Sequence, residues 1–375
     1  MKKHLRPKII PIAILNQLYL AVFFNKISTL TLIIGLLSIL SSCSTQQPTV
    51  HKATIMVFGT LVDISIFYSR VPSLEQAQFT LSPPSHAQQA EEAIQTVEQQ
   101  FHQFHQQWHA WEQGGIISKI NQAIARQHPI TVPNSVKDFI VISQKLTQQS
   151  QGLFDPGIGQ LVALWGFHSE TWQGPPPSTE AIEHWLNSRP SLMDIYFQGN
   201  ALHSHNPNVQ LDFGGNAKGL AIDMALESLQ NSGIQNALVS IGGDMKAIGS
   251  KNGQPWRVGI QNPQHPNQVL ASLSLKSGES VVTSGTYQRM FKWQGKSFSH
   301  ILNPKTGYPA HRFASVTVLH PNAITADAAA TALLIAGVEQ WESIAKSMGV
   351  QYVFAVDEHG KIFQTDAMAQ RISLL

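Results

Sequence analysis

The segment Val209 to Gly219, VQLDFGGNAKG, constrains the fold of this chain more than any other. A short apolar strand runs into two glycines and a helix begins at once. Backbone N–H groups without intrahelical acceptors then surround a small space at the positive end of the helix dipole. Such a space favours a phosphate. Asp212 before the glycines and Lys218 at the helix start would flank it with a carboxylate and an ammonium; a plain strand-to-helix turn with a surface lysine is the alternative reading. Ile241-Gly242-Gly243-Asp244 repeats the pattern, and two such turns in one sheet let backbone approach a ligand from both sides.

The 375 residues are 43% hydrophobic and 13% charged, the balance of a globular protein. A formal net charge of +2, with no basic run, gives no electrostatic case for nucleic acid. Lys2, Lys3, Arg6 and Lys8 precede an apolar stretch, Ile9 to Phe24, and Lys26 precedes a second, Ile27 to Leu40. The ending Leu40-Ser41-Ser42-Cys43 resembles the lipobox of bacterial lipoproteins, in which the cysteine is lipidated and becomes the N-terminus. Cys43 is the only cysteine, so disulfides within the chain and cysteine metal sites are excluded. An uncleaved membrane span, or a true start downstream of Met1, are the alternatives. The expected organisation is a leader over 1–42, a tether over 43–54 and one domain over 55–375. The domain would face the periplasm of the cell envelope, anchored by lipid to the inner or outer membrane.

Within the domain, Ile55 to Thr60 and the alternating Leu61 to Ile66 predict a strand or hairpin. Ser73 to His86, with Pro83-Pro84, predicts an exposed loop. Ala90, Ile94, Val97, Phe101, Phe104, Trp108 and Trp111 recur at steps of four and three, which predicts one long helix stopped by Gly114-Gly115. His102, His105 and His109 share a neighbouring face of it, a solvated face rather than a metal site because no carboxylate stands beside them. Further helices are predicted over 116–121, 136–150, 179–187, 218–232, 326–336 and 339–348. Strands are predicted over 210–213, 237–241, 257–261, 270–275, 280–283, 314–319 and 352–356. The mixture is an α+β single domain, a mixed sheet with flanking helices.

Two further segments carry chemistry. Thr283-Ser284-Gly285-Thr286-Tyr287 is a hydroxyl-rich strand end. The loop after it, Ser299-His300-Ile301-Leu302-Asn303-Pro304-Lys305-Thr306-Gly307-Tyr308-Pro309, offers a proton carrier; a hairpin with a satisfied histidine is the alternative. Asp327 and Thr331 stand four apart on an Ala-rich helix, and a carboxylate with a hydroxyl on one face suits Mg²⁺. Asp327 also fits a helix N-cap.

Together these segments resemble the ApbE family of FAD:protein FMN transferases, from about Phe58-Gly59-Thr60 to about Gly337. The strings that carry the resemblance are SKIN (118–121), GLFDPGIGQLVALWGF (152–167), LDFGGNAKGLAID (211–223), VSIGGDMKAIG (239–249), TSGTYQR (283–289), SHILNPKTGYP (299–309) and ADAAATALLIAG (326–337). The resemblance implies an ApbE-like, T-fold-like architecture and a Mg²⁺-dependent transfer of FMN from FAD to a Thr or Ser hydroxyl of an acceptor protein, releasing AMP. It implies metal ligands at Asp327, Thr331 and the backbone carbonyl at or near Ala217. It implies FAD contacts at Phe58, Trp111, Leu153, Phe154, Asp155, Asp212, Lys218 and Ile301, and a membrane redox subunit as acceptor. The catalytic base is left between His300 and the neighbourhood of Asp327, and His300 is preferred because an ordinary imidazole titrates near working pH. Phe58 stands where the family commonly has Met, and His109-Ala110-Trp111 replaces a Ser-Thr-Tyr-type string. A Mg²⁺-dependent FAD pyrophosphatase giving free FMN and AMP, and a non-catalytic flavin-binding lipoprotein, are the competing functions.

Overall fold

The computed structural model describes residues 50–68, 85–169, 171–172 and 174–375. The leader, Cys43 and most of the Ser73 to His86 loop lie outside the described residues. Among the described residues no helix is long and apolar enough to cross a membrane.

Strands β1 (Val50–Val57), β2 (Thr60–Phe67), β3 (Ala237–Ile241), β4 (Asp244–Ile248) and β5 (Ser280–Gly285) lie in the main sheet, and β6 (Met290–Trp293) and β7 (Lys296–Ser299) form a separate hairpin. The sheet continues with β8 (Phe313–His320), β9 (Tyr352–Asp357) and β10 (Ile362–Gln364). Its order is β1-β2-β3-β4-β5-β8-β9-β10, and every neighbouring pair is antiparallel. Residues 50–54, expected in the tether, belong to β1.

The pleat sends alternate side chains to two cores. Val353 and Ala355 of β9 pack with the helices, whereas Phe354 and Val356 face a three-stranded sheet built from Trp256–Gln261, Val269–Leu275 and Ile372–Leu374. On the helical side lie α1 (His86–Trp108), α2 (Ile116–Ala125), α3 (Asn134–Gln149), α5 (Ala217–Asn231) and α6 (Ala323–Ser347), whereas α4 (Thr179–Ser188) packs Ile182 and Trp185 on a separate cluster with Phe291. The apolar stripe of α1 buries Ile94, Val97, Phe101 and Phe104 against Val62, Ile64, Ile66 and Leu226.

Three local expectations fail for identifiable reasons. Gln210 to Phe213 is no strand: a single bridge pairs Gln210 with Ile158, and the side chain of Asn121 brackets Leu211, donating to its carbonyl (3.0 Å) and accepting from its N–H (2.7 Å). Helix α1 stops at Trp108, because the His109 Nδ1 accepts the N–H of Trp111 (3.2 Å) and Glu112 (2.9 Å) and turns the chain away. Asn322 caps α6 through the N–H of Thr325, so Asp327 is not the cap. By contrast, the helices expected over 326–336 and 339–348 both form, as the two parts of α6 on either side of the non-helical Gly337 (φ 67°).

Helices α5 and α6 cross where Gly219 meets the start of α6. A Cβ at position 219 would lie 2.4 Å from the carbonyl oxygen of Ala323. Only glycine permits this approach, and Gly219→Ala is expected to lower stability by about 1–3 kcal/mol. Urea unfolding checks it; an unchanged midpoint would contradict the contact.

Candidate active site

The turn before α5 is built from its own side chains. One Asp212 oxygen accepts the N–H of Gly214 (2.8 Å) and the other accepts the indole N–H of Trp111 (3.0 Å). Trp111 is free to do this because it lies outside α1, beside His168 (ring centroids 5.4 Å apart). A Cβ on Gly215 would meet the Phe154 ring at 3.3 Å and the Thr331 Oγ1 at 3.7 Å, so backbone, aromatic edge and hydroxyl converge there. Among the described residues the N–H groups of Gly215 and Lys218 have no protein acceptor. The glycine turn, entered from an irregular segment, thus presents those two backbone N–H groups without a protein acceptor.

Behind it sits a charged trio. The Lys218 ammonium is bonded to Asp244, whose other oxygen accepts the N–H of Thr283 (2.9 Å). Asp244 is only 2% exposed. Burial alone would lower the pKa of Lys218, but the carboxylates of Asp244 and Asp327 outweigh it and hold the ammonium above its ordinary value. Asp327, 2% exposed, accepts one hydrogen bond, from the N–H of Gly219 (3.0 Å). Burial pushes its carboxyl well above the ordinary range; Lys218 opposes the rise, and Asp244 adds to it. With both carboxylates ionised, two negative charges face one positive charge.

That excess is the test of whether a divalent cation fits. One turn along α6, the Thr331 Oγ1 lies 3.2 Å from the Ser284 Oγ. Asp327 and Thr331, hard oxygen donors one turn apart on α6, stand beside this surplus negative charge at the start of α5, a combination that suits Mg²⁺.

The remaining expected site residues fall into two groups. Leu153, Phe154 and Ile301 are buried in the same core as Phe213. Phe58 sits in a two-residue turn with φ 60°, its ring against Phe101, Phe104 and His105. That turn abuts the second glycine pair, since a Cβ on Gly242 would lie 3.1 Å from the Thr60 Oγ1. Asp155 is different: its carboxylate is committed to the Ser191 hydroxyl (2.5 Å) and the N–H groups of Leu192 and Gly157 (both 2.8 Å). It shapes the loop that carries Leu153 and Phe154.

His300 follows β7, and its Nδ1 lies 3.0 Å from the Arg289 carbonyl. A carbonyl only accepts, so the proton is on Nδ1 and Nε2 keeps its lone pair. Burial pushes the imidazole down to about 4, and the charges of Arg289 and Lys218 lower it further, against the hydrogen bond to Arg289. The expectation of titration near working pH is thus replaced: His300 is neutral throughout that range.

Sequence reasoning left out Asp244 and Ser284 as site residues, although both stand in recognised strings; the signal was an acid directly after a glycine pair and a hydroxyl at a strand end. His105, His109 and Glu112 do approach within 4.8 Å of one another, so a carboxylate stands beside the histidines after all. The bonds that His109 Nδ1 accepts leave the proton on its Nε2, which opposes ligation there.

The fold is an α+β domain with a main antiparallel sheet and flanking helices. Residues 58–354 match the ApbE family, and the chain belongs to it. An FAD:protein FMN transferase of Rhodobacter capsulatus is 37% identical over 319 residues, covering 85% of this chain; the chain spans 58% of that relative's length. An FAD:protein FMN transferase of Vibrio cholerae serotype O1 is 31% identical, covering 64% of this chain and 72% of its own. Among solved structures, an ApbE protein of Thermotoga maritima superposes with a TM-score of 0.75 at 27% identity, over 86% of this chain and 99% of its own. A Pseudomonas stutzeri flavinyl transferase ApbE in apo form gives 0.73 at 26%, over 88% and 98%.

If the trio is one electrostatic unit, removing either member of the ion pair strands the other. Lys218→Met and Asp244→Asn are each expected to cost about 3 kcal/mol, and the double variant clearly less than their sum. Additive losses in urea unfolding would contradict the pairing.

Proposed function

We propose that this chain transfers the FMN moiety of FAD to a Thr or Ser hydroxyl of an acceptor protein with Mg²⁺, forming a phosphoester and releasing AMP. The observation that carries the proposal is the surplus buried carboxylate of Asp327 beside Thr331, facing the glycine turn of α5. Phosphoryl transfer asks a protein to hold the phosphates, offset their charge and align the incoming hydroxyl. The unpartnered N–H groups of Gly215 and Lys218 can receive phosphate oxygens, and the Lys218 ammonium, oriented by Asp244, offsets charge next to them. Asp327, Thr331 and the Ala217 carbonyl would hold Mg²⁺, which when bound supplies Lewis-acid stabilisation of phosphate oxygens. Leu153, Phe154, Ile301 and Phe58 provide apolar walls for a flavin, and Trp111, pinned by Asp212, a ring at their edge.

His300 is the base in this reading, because its Nε2 can accept the hydroxyl proton while Nδ1 stays bonded to Arg289. With its pKa lowered to about 4, the base form persists above that pH and is lost as pH falls through it. The acid limb of kcat/KM is therefore expected near 4 and not near 6.5, and His300→Gln should lower the rate by about 10²–10⁴-fold and remove that limb. A limb unchanged in His300→Gln would transfer the role to another group.

Within the same proposal, Cys43 carries the lipid, and the acceptor is a membrane redox subunit at the periplasmic side of the envelope. Cys43→Ser should release the protein from membranes with its activity intact; a variant still in the membrane fraction would favour a spanning segment. Incubation with FAD, Mg²⁺ and an acceptor separates the readings. Flavin on the denatured acceptor with AMP released supports transfer; AMP without labelled protein means a pyrophosphatase, and neither means a carrier. Asp327→Ala should abolish Mg²⁺-dependent turnover while the fold survives, and wild-type turnover would remove the metal assignment.

A further inference from the structure

The β6–β7 hairpin stands apart from every other sheet. Its cross-strand pair Phe291 and Phe298 stacks at 5.1 Å, and Trp172 lies flat on Phe291 at 3.7 Å. Trp165 and Phe167 close the cluster beneath. This aromatic core fixes the hairpin but leaves large apolar groups in water: Met290 is 46% exposed, Trp293 37% and Tyr308, which meets Trp165 edge-on, 42%. Trp293 flanks Trp172 on the Phe291 face and Met290 lies on the opposite face of the same hairpin; Met, Trp and Tyr are the residue types that interfaces concentrate.

The charge of this stretch of chain has one sign, while α4, which packs on the same aromatic cluster, carries Glu180 and Glu183. From Ser280 to Ala326 the sequence contains Arg289, Lys292, Lys296, Lys305 and Arg312 and no Asp or Glu. Lys292, Lys296 and Lys305 are exposed, and none of the three forms an ion pair among the described residues. The hairpin is also joined to the site. His300 directly follows β7, and both its N–H and its Nδ1 bond to the carbonyl of Arg289, the residue before β6. The two ends of the hairpin therefore meet at the group assigned as base.

We propose that this hairpin, with Tyr308, is the docking ridge for the acceptor protein, and that it reads an acidic segment of the acceptor flanking the hydroxyl to be modified. The inference rests on the flavin-transfer reading. Lys292, Lys296 and Lys305 supply the attraction and the orientation; Met290, Trp293 and Tyr308 supply the apolar contact. A chain bound there lies next to His300, which is where an acceptor hydroxyl must arrive. An anionic lipid surface would meet the same lysines without any need to enter the cleft.

The test uses the full chain with FAD and Mg²⁺, and a labelled peptide of about 15 residues with one central Thr flanked by Asp and Glu. A second peptide carries Lys at those acidic positions. The acidic peptide should bind and the basic one should not, by fluorescence anisotropy at low salt. Lys292→Glu with Lys296→Glu, and separately Trp293→Ala, should each weaken binding at least about tenfold, with Lys292→Arg and Lys296→Arg restoring it. Flavin-fluorescence quenching should show FAD affinity unchanged in all of them. Equal binding by the charge-reversed variant, equal binding of both peptides, or displacement of the peptide by phosphatidylglycerol vesicles overturns the proposal. A wild-type chain that fails to bind FAD would instead overturn the reading on which it rests.

Discussion

A carboxylate buried with too little positive charge beside it is the constraint from which the rest of this site follows. Asp327 is held inside α6 with one hydrogen bond, from Gly219, and the nearby ammonium of Lys218 is already bonded to Asp244. A charge in that position is costly unless something cationic joins it. The arrangement exists because α5 and α6 touch at a point where no side chain fits: Gly219 against the Ala323 carbonyl. One missing Cβ thus brings a backbone donor to Asp327 and puts Lys218, the preceding residue, next to both acids.

The sheet supplies the remaining parts by bringing several strand ends to one rim. The β1–β2 turn at Phe58-Gly59 and the β3–β4 turn at Gly242-Gly243 lie side by side through Thr60. Asp244, the first residue of β4, reaches the Thr283 N–H on β5, and one residue further along Ser284 meets Thr331 of α6. Antiparallel order makes this possible, because alternate connections, here the β1–β2 and β3–β4 turns, fall at the same end of the sheet. The hairpin β6–β7 is inserted between β5 and β8 and brings His300 to the same rim.

Much of this was readable from sequence wherever the signal was local. The stripe of α1, the strands β3, β5, β8 and β9 and the pairing of Asp327 with Thr331 on one helix face follow from periodicity alone, whereas β4, β6, β7 and β10 were not read from it. The family strings pointed to the family, which periodicity could not. What escaped depended on contacts distant in the chain. Gln210 to Phe213 has a strand's composition, but Asn121, about ninety residues earlier, takes its hydrogen-bonding groups. Trp111 continues the apolar spacing of α1, yet the His109 side chain ends that helix first. Asp155 carries a family signature, and only the structure shows its carboxylate spent on Ser191 and Leu192. Asp244 was visible as an acid after two glycines, but its partner Lys218 lies on another element.

The central claim is that Asp327 and Thr331 grip a divalent ion against the glycine turn of α5. Crystals soaked with FAD and Mn²⁺, used as an anomalous stand-in for Mg²⁺, test it most directly. The account predicts an anomalous peak within coordination distance of the Asp327 carboxylate and the Thr331 hydroxyl, touching the pyrophosphate of bound FAD. A peak at His105, His109 and Glu112 instead, or bound FAD with no metal at Asp327, would contradict it.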